Sequence, residues 1–192
     1  RDYYASRGLG DVYKRQIQEA YEMLQKAAAR TDGLSGLESG FHALDKMTSG
    51  WQNSDLVIIA ARPAMGKTAF VLSMAKNMAV NAKIPVALFS LEMSNVQLVN
   101  RMIVNVCEIP GEKIKSGQLA PYEWGQLDYK IKELYDAPMY VDDTPSLSVF
   151  ELRTKARRLV REHGVKIIII DYLQLMNASG MSFGSRQEEV ST

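Results

Sequence analysis

Gly66, Lys67 and Thr68 form the stretch of this sequence best suited to binding phosphate groups. An uncharged run at residues 56–59 precedes them and predicts a buried strand, and a helical pattern follows. A strand followed by a loop and a helix is an arrangement that binds phosphate, because the loop N–H groups and the positive end of the helix dipole face the anion. Lys67 can reach the β- and γ-phosphates, and the Thr68 hydroxyl can coordinate Mg²⁺. The predicted nucleotide-binding loop comprises Arg62, Pro63, Ala64, Met65, Gly66, Lys67, Thr68 and Ala69.

The loop departs from the usual pattern G-x-x-x-x-G-K-[ST] at one position. Ala61 stands where the first glycine is expected. The alternative interpretation is a strand, turn and helix whose Gly-Lys-Thr is only a turn followed by a helix start. The strand before the loop and the helix after it are the context that the motif requires, and we therefore favour a nucleotide site.

Asp171 and Glu92 supply acidic side chains at the ends of predicted strands. Asp171 follows four consecutive isoleucines, and the carboxyl ends of parallel strands are where ligands of open α/β sheets gather. We therefore expect Asp171 to hold the metal ion. Glu92 follows a second buried run and is the best candidate for activating the attacking water. Glu92 could equally interact with the N terminus of the helix that starts near Ser94, and the residues alone leave both interpretations open.

The remaining pattern alternates strands with helices. Predicted strands at residues 56–59, 86–90, 139–143 and 165–171 are separated by helical stretches, two of which open with capping boxes at Ser94/Gln97 and Ser148/Glu151. A short helix is possible at 41–47. The helix after Ser148 has a basic outer face, which is either solvated or a binding surface. The predicted fold class is α/β with a mostly parallel sheet flanked by helices.

Composition places the chain among soluble globular domains. It has 192 residues, 46% of them hydrophobic, and a formal net charge of +1, so no global basic field indicates nucleic acid. Cys107 is the only cysteine, which excludes an internal disulfide and permits a reducing cytoplasm. His42 and His163 are isolated, which argues against a zinc site. No apolar run reaches the roughly 20 residues that cross a bilayer. We expect a soluble, cytoplasmic protein.

The two ends of the chain differ from its centre. Residues 1–16 lack a sustained period and resemble either translated adaptor sequence or an ordinary disordered terminus. Residues 17–30 predict an amphipathic helix, which packs on its own domain or docks on a neighbouring subunit. Residues 177–185 read as a glycine- and serine-rich loop, and 185–192 as the start of a helix.

Several motifs together resemble the replicative DnaB-type helicases, whose ATPase domain is RecA-like. They are ARPAMGKTAF at 61–70, FSLEMS at 89–94 and IIIIDYLQLM at 167–176. The stretches SGFHALDKMTSGWQNSDLVIIA at 39–60 and PSLSVFELRTKARRL at 145–159 are similar too. The resemblance covers 17–192, and an alanine such as Ala61 is a known variation in this family.

The resemblance implies a RecA-like P-loop NTPase that uses ATP and Mg²⁺. Lys67 and Thr68 would bind phosphate and Mg²⁺, Asp171 would hold the metal, and Glu92 would be the general base, with Glu92 and Lys67 as the catalytic pair. Residues 17–31 would be a linker helix docking on the next subunit of a homohexamer, and 32–192 the ATPase domain. The implied activity is 5′ to 3′ movement on single-stranded DNA and unwinding of forked duplex, with primase and a helicase loader as partners.

The resemblance also implies that parts of such a helicase are missing here. The family's N-terminal domain is not in this sequence, and a phosphate-sensing glutamine, the main DNA-binding loop and an arginine finger are expected beyond Thr192. Two alternatives share the phosphate loop: a RecA-type strand-exchange or clock ATPase, and a P-loop kinase, which needs a basic lid that we do not find. DNA-stimulated ATP turnover would separate a kinase from the DNA motors, and fork unwinding would then identify a helicase.

Overall fold

The structure is a computed structural model that describes residues 9–28, 34–172 and 176. The chain divides into two compact units, residues 1–57 and 58–192. The predicted loop at 177–185 and the helix start at 185–192 lie outside the described residues, as do residues 1–8. In the part of the chain that is described, every helix is too short or too polar to span a bilayer.

In the first unit the described residues include the helices α1 at Leu9–Ala28 and α2 at His42–Thr48. The helix predicted from residue 17 starts earlier, at Leu9, so α1 also includes residues 9–16 of the segment expected to be non-native or disordered. Tyr13 extends the i, i+4 spacing of Ile17 and Tyr21, and a helix that has formed once adds turns at little cost. The short helix predicted at 41–47 is confirmed one residue further along.

A buried carboxylate organises the segment before α2. Asp45 accepts hydrogen bonds from the Ser39 N–H at 2.8 Å, the Ser39 hydroxyl at 2.6 Å and the Gly40 N–H at 3.2 Å. These three donors compensate the burial of the charge. Leu37 and Trp51 then pair as an isolated antiparallel bridge, which closes the loop around α2.

The second unit is built on a parallel three-stranded sheet. Its strands are β1 at Val86–Ser90, β2 at Met139–Asp142 and β3 at Ile167–Asp171, in the order β2-β1-β3. Val86 is in register with Met139 on one side and with Ile167 on the other. The α/β prediction with a parallel sheet is confirmed, and three of the four predicted strands are present.

The strand predicted at residues 56–59 is not formed. Leu56 is 88% exposed and Ile58 is 77% exposed, and the run carries no strand hydrogen bonding. A β-branched run becomes a strand only when a neighbouring edge pairs with its backbone. Among the described residues no segment pairs with this run. Its strand propensity is therefore not enough to form a strand. The predicted phosphate loop is therefore preceded by exposed chain without regular secondary structure.

Helices flank the sheet. They are α3 at Lys67–Lys76, continued by a π turn at Asn77–Asn81, then α4 at Asn95–Cys107, α5 at Gly111–Ser116, α6 at Pro121–Tyr135 and α7 at Val149–His163. Both predicted capping boxes are confirmed: Ser94 with Gln97 opens α4, and Ser148 with Glu151 opens α7.

Apolar clusters join several of these elements in the described part of the chain, and two of them are defined by the following residues. One lies where α7 covers the sheet and contains Ala87, Phe89, Leu147 and Val165, with Leu152 and Leu159 packed against it. The other joins α4, α5 and α6 through Cys107, Ile109 and Leu127. Burial raises the pKa of the Cys107 thiol, which favours its neutral, apolar form in this cluster.

An ion pair fastens α5 to α6. The Lys113 ammonium lies 2.6 Å from the Glu123 carboxylate, whose second oxygen accepts the Ala120 N–H at 2.8 Å. The hydrogen bond to Lys113 holds the pKa of Glu123 below its usual value, and the same bond raises the pKa of Lys113. Glu123 thus caps α6 and binds α5 with one side chain.

Candidate functional site

The predicted phosphate loop is an exposed turn that leads directly into α3. Residues 61–66 are exposed, and α3 begins at Lys67. Gly66 has φ +84° and Ala64 has φ +64°, both in the left-handed region. A Cβ on Gly66 would meet no atom within 4 Å, so glycine is favoured there by its backbone conformation rather than by lack of space. The loop therefore reverses the chain and presents the start of α3 to solvent.

The N terminus of α3 has the properties of an anion site. No side chain caps this helix in the part of the chain that the structure describes. The Phe70 N–H donates to the carbonyl of Gly66, the residue just before the helix, at 2.9 Å. A helix start carries a partial positive charge and N–H groups without helical partners, and both favour a phosphate group.

Three of the predicted site residues meet at the end of β3. The Thr68 hydroxyl donates to Oδ2 of Asp171 at 2.8 Å, and the Lys67 Nζ lies 3.5 Å from Oδ1 of the same carboxylate. Asp171 is 3% exposed, so its charge is buried and needs these partners. Lys67 also lies over the ring of Tyr172, with Nζ 4.0 Å from the centroid. The structure thus brings together Lys67, Thr68 and Asp171 as predicted.

The donor set at this point fits Mg²⁺. The Thr68 hydroxyl and the Asp171 carboxylate are hard oxygen ligands, the kind that Mg²⁺ prefers. Over the described residues there is no cluster of three or more His, Cys, Asp or Glu side chains that could hold a metal alone. A hydroxyl with one carboxylate matches an ion that keeps waters and takes its other ligands from substrate phosphates.

Glu92 lies on the neighbouring strand's extension. Ser90, the last residue of β1, is in register with Asp171, and the Leu91 N–H donates to the Asp171 carbonyl at 2.9 Å. Glu92 therefore directly follows a residue that is hydrogen-bonded to β3. Its side chain is exposed. Among the described residues, no hydrogen bond joins the Glu92 side chain to α4. An interaction of its charge with the start of α4 needs no such bond, so this position is compatible with both interpretations of Glu92.

Sequence reasoning missed three residues around this site. Tyr172 contacts Lys67, Ser90 bonds to Met93, and Asp143 bonds to Asn95 at the start of α4. Asp143 carried a usable signal, since it is an acidic residue directly after a parallel strand, as Asp171 is at the end of its own. Tyr172 and Ser90 carried no comparable signal, because a tyrosine or serine at a strand end is common.

Comparison with known proteins identifies relatives over most of the chain. The family model described as DnaB-like helicase C terminal domain matches residues 36–192. The replicative DNA helicase DnaB of Geobacillus stearothermophilus is 46% identical over 173 residues, which are 90% of this chain and 38% of that protein. The replicative DNA helicase DnaC of Bacillus subtilis is 43% identical with the same two coverages. The chain thus spans about two fifths of the length of these relatives.

Solved structures agree in fold. The structure described as the ATPase domain of G40P superposes with a TM-score of 0.85 at 35% identity, covering 93% of this chain and 62% of that one. A DnaB-like replicative helicase, solved with its interactions with primase, superposes with a TM-score of 0.83 at 36% identity, covering 91% of this chain and 42% of that one. The predicted RecA-like fold is confirmed. With the family match over residues 36–192, the chain belongs to the DnaB-like helicase C-terminal domain family.

Proposed function

We propose that this chain is the ATP-hydrolysing part of a replicative DNA helicase that moves 5′ to 3′ on single-stranded DNA and unwinds forked duplex. The observation that carries the proposal is the contact of Thr68 and Lys67 with Asp171, which joins the phosphate loop to a buried strand-end carboxylate. Family membership supports a helicase over a kinase. A helicase of this kind works on DNA in the cytoplasm, where the free thiol of Cys107 is stable.

Each site residue has a distinct task in binding ATP. The loop at residues 62–69 cradles the phosphates with its N–H groups, and Lys67 carries a point charge to the β- and γ-phosphates. Thr68 and Asp171 would hold Mg²⁺, which would neutralise charge on the phosphate oxygens. The contacts of Thr68 and Lys67 with the two oxygens of Asp171 support this role.

Glu92 acts as the general base. Its carboxylate accepts a proton from the attacking water, whose oxygen forms the new bond to the γ-phosphorus as the bond to the ADP oxygen breaks. Two features support this role: the exposed side chain and the Leu91 bond to the strand of Asp171. Glu92→Gln keeps the shape of the side chain and is expected to slow hydrolysis by about a hundredfold or more while ATP still binds.

The proposed assembly is a homohexamer in which α1 is the linker helix. Tyr13, Ile17, Tyr21 and Leu24 of α1 are all more than half exposed. A helix with such an apolar face gains by docking, and the proposed partner is the ATPase domain of the adjacent copy. A neighbouring subunit would also supply an arginine finger to the site. Primase and a loader would bind through regions outside this chain.

A comparison of two variants in the full-length protein tests this function. Lys67→Ala removes the phosphate-binding charge, and Lys76→Ala removes a lysine from the last turn of the same helix as a control. We expect the unchanged protein to unwind a forked duplex and to hydrolyse ATP faster when single-stranded DNA is present. Lys67→Ala should lose both activities, and Lys76→Ala should keep both. Turnover without DNA stimulation would contradict a DNA motor. Strand exchange without unwinding would indicate a RecA-type recombinase instead.

A further inference from the structure

The connection between β1 and α4 carries Glu92 and consists of only four residues, 91–94. The Glu92 side chain is exposed, and among the described residues it forms neither a hydrogen bond nor an ion pair. Its carboxylate is therefore positioned by the backbone that carries it. The residues that hold this backbone in place decide how well Glu92 can meet a water molecule at the phosphate.

The near end of the connection is held by β3 and by a serine. The Leu91 N–H donates to the Asp171 carbonyl at 2.9 Å. The buried Ser90 hydroxyl donates to the Met93 carbonyl at 2.8 Å and accepts from the Met93 N–H at 3.1 Å. Glu92 lies between these two attachments, so the first half of the connection is a tight turn fixed to the metal-site strand.

The far end is held by Asp143, which follows β2 directly. The backbone N–H of Asn95 donates to Oδ2 of Asp143 at 2.9 Å, and the Asn95 side-chain amide donates to Oδ1 at 2.9 Å. Both carboxylate oxygens of Asp143 thus accept hydrogen bonds from Asn95, the first residue of α4. A negative charge at a helix start is favourable, and hydrogen bonds to a carboxylate are about twice as strong as neutral ones.

Asp143 is itself held on both sides along the chain. Asp142 accepts a hydrogen bond from the Lys155 Nζ at 2.6 Å and from the Thr144 N–H at 3.0 Å. Lys155 also donates to the Thr144 hydroxyl at 2.6 Å. The two sequence neighbours of Asp143 are therefore attached to α7, and this attachment gives Asp143 a defined position at the end of β2.

The Asp143 contacts are separate from the capping box of α4, because they use the Asn95 N–H, which is not part of that box. The Ser94 hydroxyl accepts from the Gln97 N–H at 3.4 Å, and the Gln97 side chain accepts from the Ser94 N–H at 3.2 Å. This capping box already closes the start of α4 from within the helix. Asp143 adds a connection from outside, between the strand β2 and the end of the segment that carries Glu92.

We propose that Asp143 is a positioning residue for Glu92: through Asn95 it fixes the β1–α4 connection relative to Asp171. The proposal rests on the proposed function of Glu92 as general base. Proton transfer needs donor and acceptor within about 2.6–3.2 Å. A displacement of about 1 Å can cost about a hundredfold in rate, even when it arises away from the chemistry. The loss of Asp143 is therefore expected to lower kcat and not ATP affinity.

A double-mutant cycle in the full-length protein tests the inference. The four forms are the unchanged protein, Asp143→Ala, Glu92→Gln and the two together, assayed at saturating ATP and single-stranded DNA. We expect Asp143→Ala to lower kcat about tenfold or more with ATP affinity changed less than about twofold. In the Glu92→Gln background we expect Asp143→Ala to have no further effect, because it acts through Glu92.

Two further variants separate positioning from general destabilisation. Asn95→Ala removes one of the two bonds to Asp143 and is expected to lower kcat less than Asp143→Ala. Lys113→Met breaks the ion pair between α5 and α6, which involves neither α7 nor residues 91–94, and is expected to keep kcat. An equal kcat loss from Lys113→Met would overturn the inference.

The remaining outcomes identify which claim fails. If Asp143→Ala lowers kcat equally with and without Glu92, Asp143 does not act through that residue and the inference is overturned. A loss of ATP affinity that matches the loss of kcat overturns it as well. If Glu92→Gln alone hydrolyses ATP at the unchanged rate, the proposed general base is wrong instead.

Discussion

The hydroxyl of Thr68 donates a 2.8 Å hydrogen bond to Oδ2 of Asp171, a residue 103 positions further along the chain. Thr68 is the second residue of α3, and Asp171 is the last residue of β3. The bond therefore joins the phosphate loop to the sheet and places two hard oxygen ligands side by side. Any metal that one of them binds is also within reach of the other.

Thr68→Ala should weaken the metal site while leaving the fold intact. The change removes one oxygen ligand and one of the two partners of the buried Asp171. We expect the Mg²⁺ concentration needed for half-maximal ATPase activity to rise by about tenfold or more. Thr68→Ser keeps the hydroxyl and should stay near the unchanged protein. An unaltered Mg²⁺ dependence in Thr68→Ala would exclude Thr68 as a ligand.

Tyr172→Leu should reduce ATP affinity through Lys67. The Lys67 ammonium lies 4.0 Å from the centre of the Tyr172 ring, and such a contact at a partly exposed site contributes about 0.5–1 kcal/mol. This energy corresponds to a change of about two- to fivefold in Kd, and we expect a non-hydrolysable ATP analogue to bind more weakly by that factor. Tyr172→Phe keeps the ring and should bind normally. If the two variants weaken binding alike, the hydroxyl and not the ring is responsible.

Asp142 should make folding stability depend on pH. Burial of its carboxylate raises the pKa, but the hydrogen bonds from Lys155 and Thr144 outweigh burial and hold the pKa below the ordinary value of 3.8. A lowered pKa in the folded state stabilises the fold above the unfolded pKa, and this stabilisation is lost as the pH falls through the folded pKa. Asp142→Asn should therefore lose less stability than the unchanged protein on acidification.

Thermal denaturation from about pH 7 to pH 3 measures this difference. At pH 7 Asp142→Asn should melt at a lower temperature, and the two curves should converge at acid pH. Lys155→Met removes the partner charge at similar length and should show the same convergence. A constant gap between the unchanged protein and Asp142→Asn at every pH would contradict the ion-pair explanation.

Leu24→Asp on α1 should disrupt assembly of the full-length protein. Leu24 is 67% exposed and Tyr21 is 57% exposed, so a charge on this face disturbs little within α1 itself. We expect a lower oligomer mass by light scattering and loss of fork unwinding. Gln25→Asp places the same charge on the next residue, on the polar side of α1, and should assemble normally. Hexamers from Leu24→Asp would contradict docking through this face.

Short-range chemistry could be predicted from the sequence. The phosphate loop, the strand-end carboxylate Asp171 and both capping boxes depend on residues that are close along the chain. Gly66 supplies a left-handed turn, Ser94 and Ser148 cap the helices that follow them, and these preferences act locally. The motifs also indicated the family, because each is a run of neighbouring residues that can be read without any tertiary contact.

Tertiary structure decided which distant groups meet and which runs become strands. Residues 56–59 have strand propensity, yet they form no strand, since pairing needs a neighbouring edge and not only β-branched side chains. The bond from Asn95 to Asp143 spans 48 positions and follows from β1 and β2 being neighbours in register. Local preferences extend over a few residues, whereas such contacts depend on strand order and register. The sequence by itself therefore determined the local motifs of the predicted phosphate site, and the packing of β1 between β2 and β3 decided which residues hold the backbone on either side of Glu92.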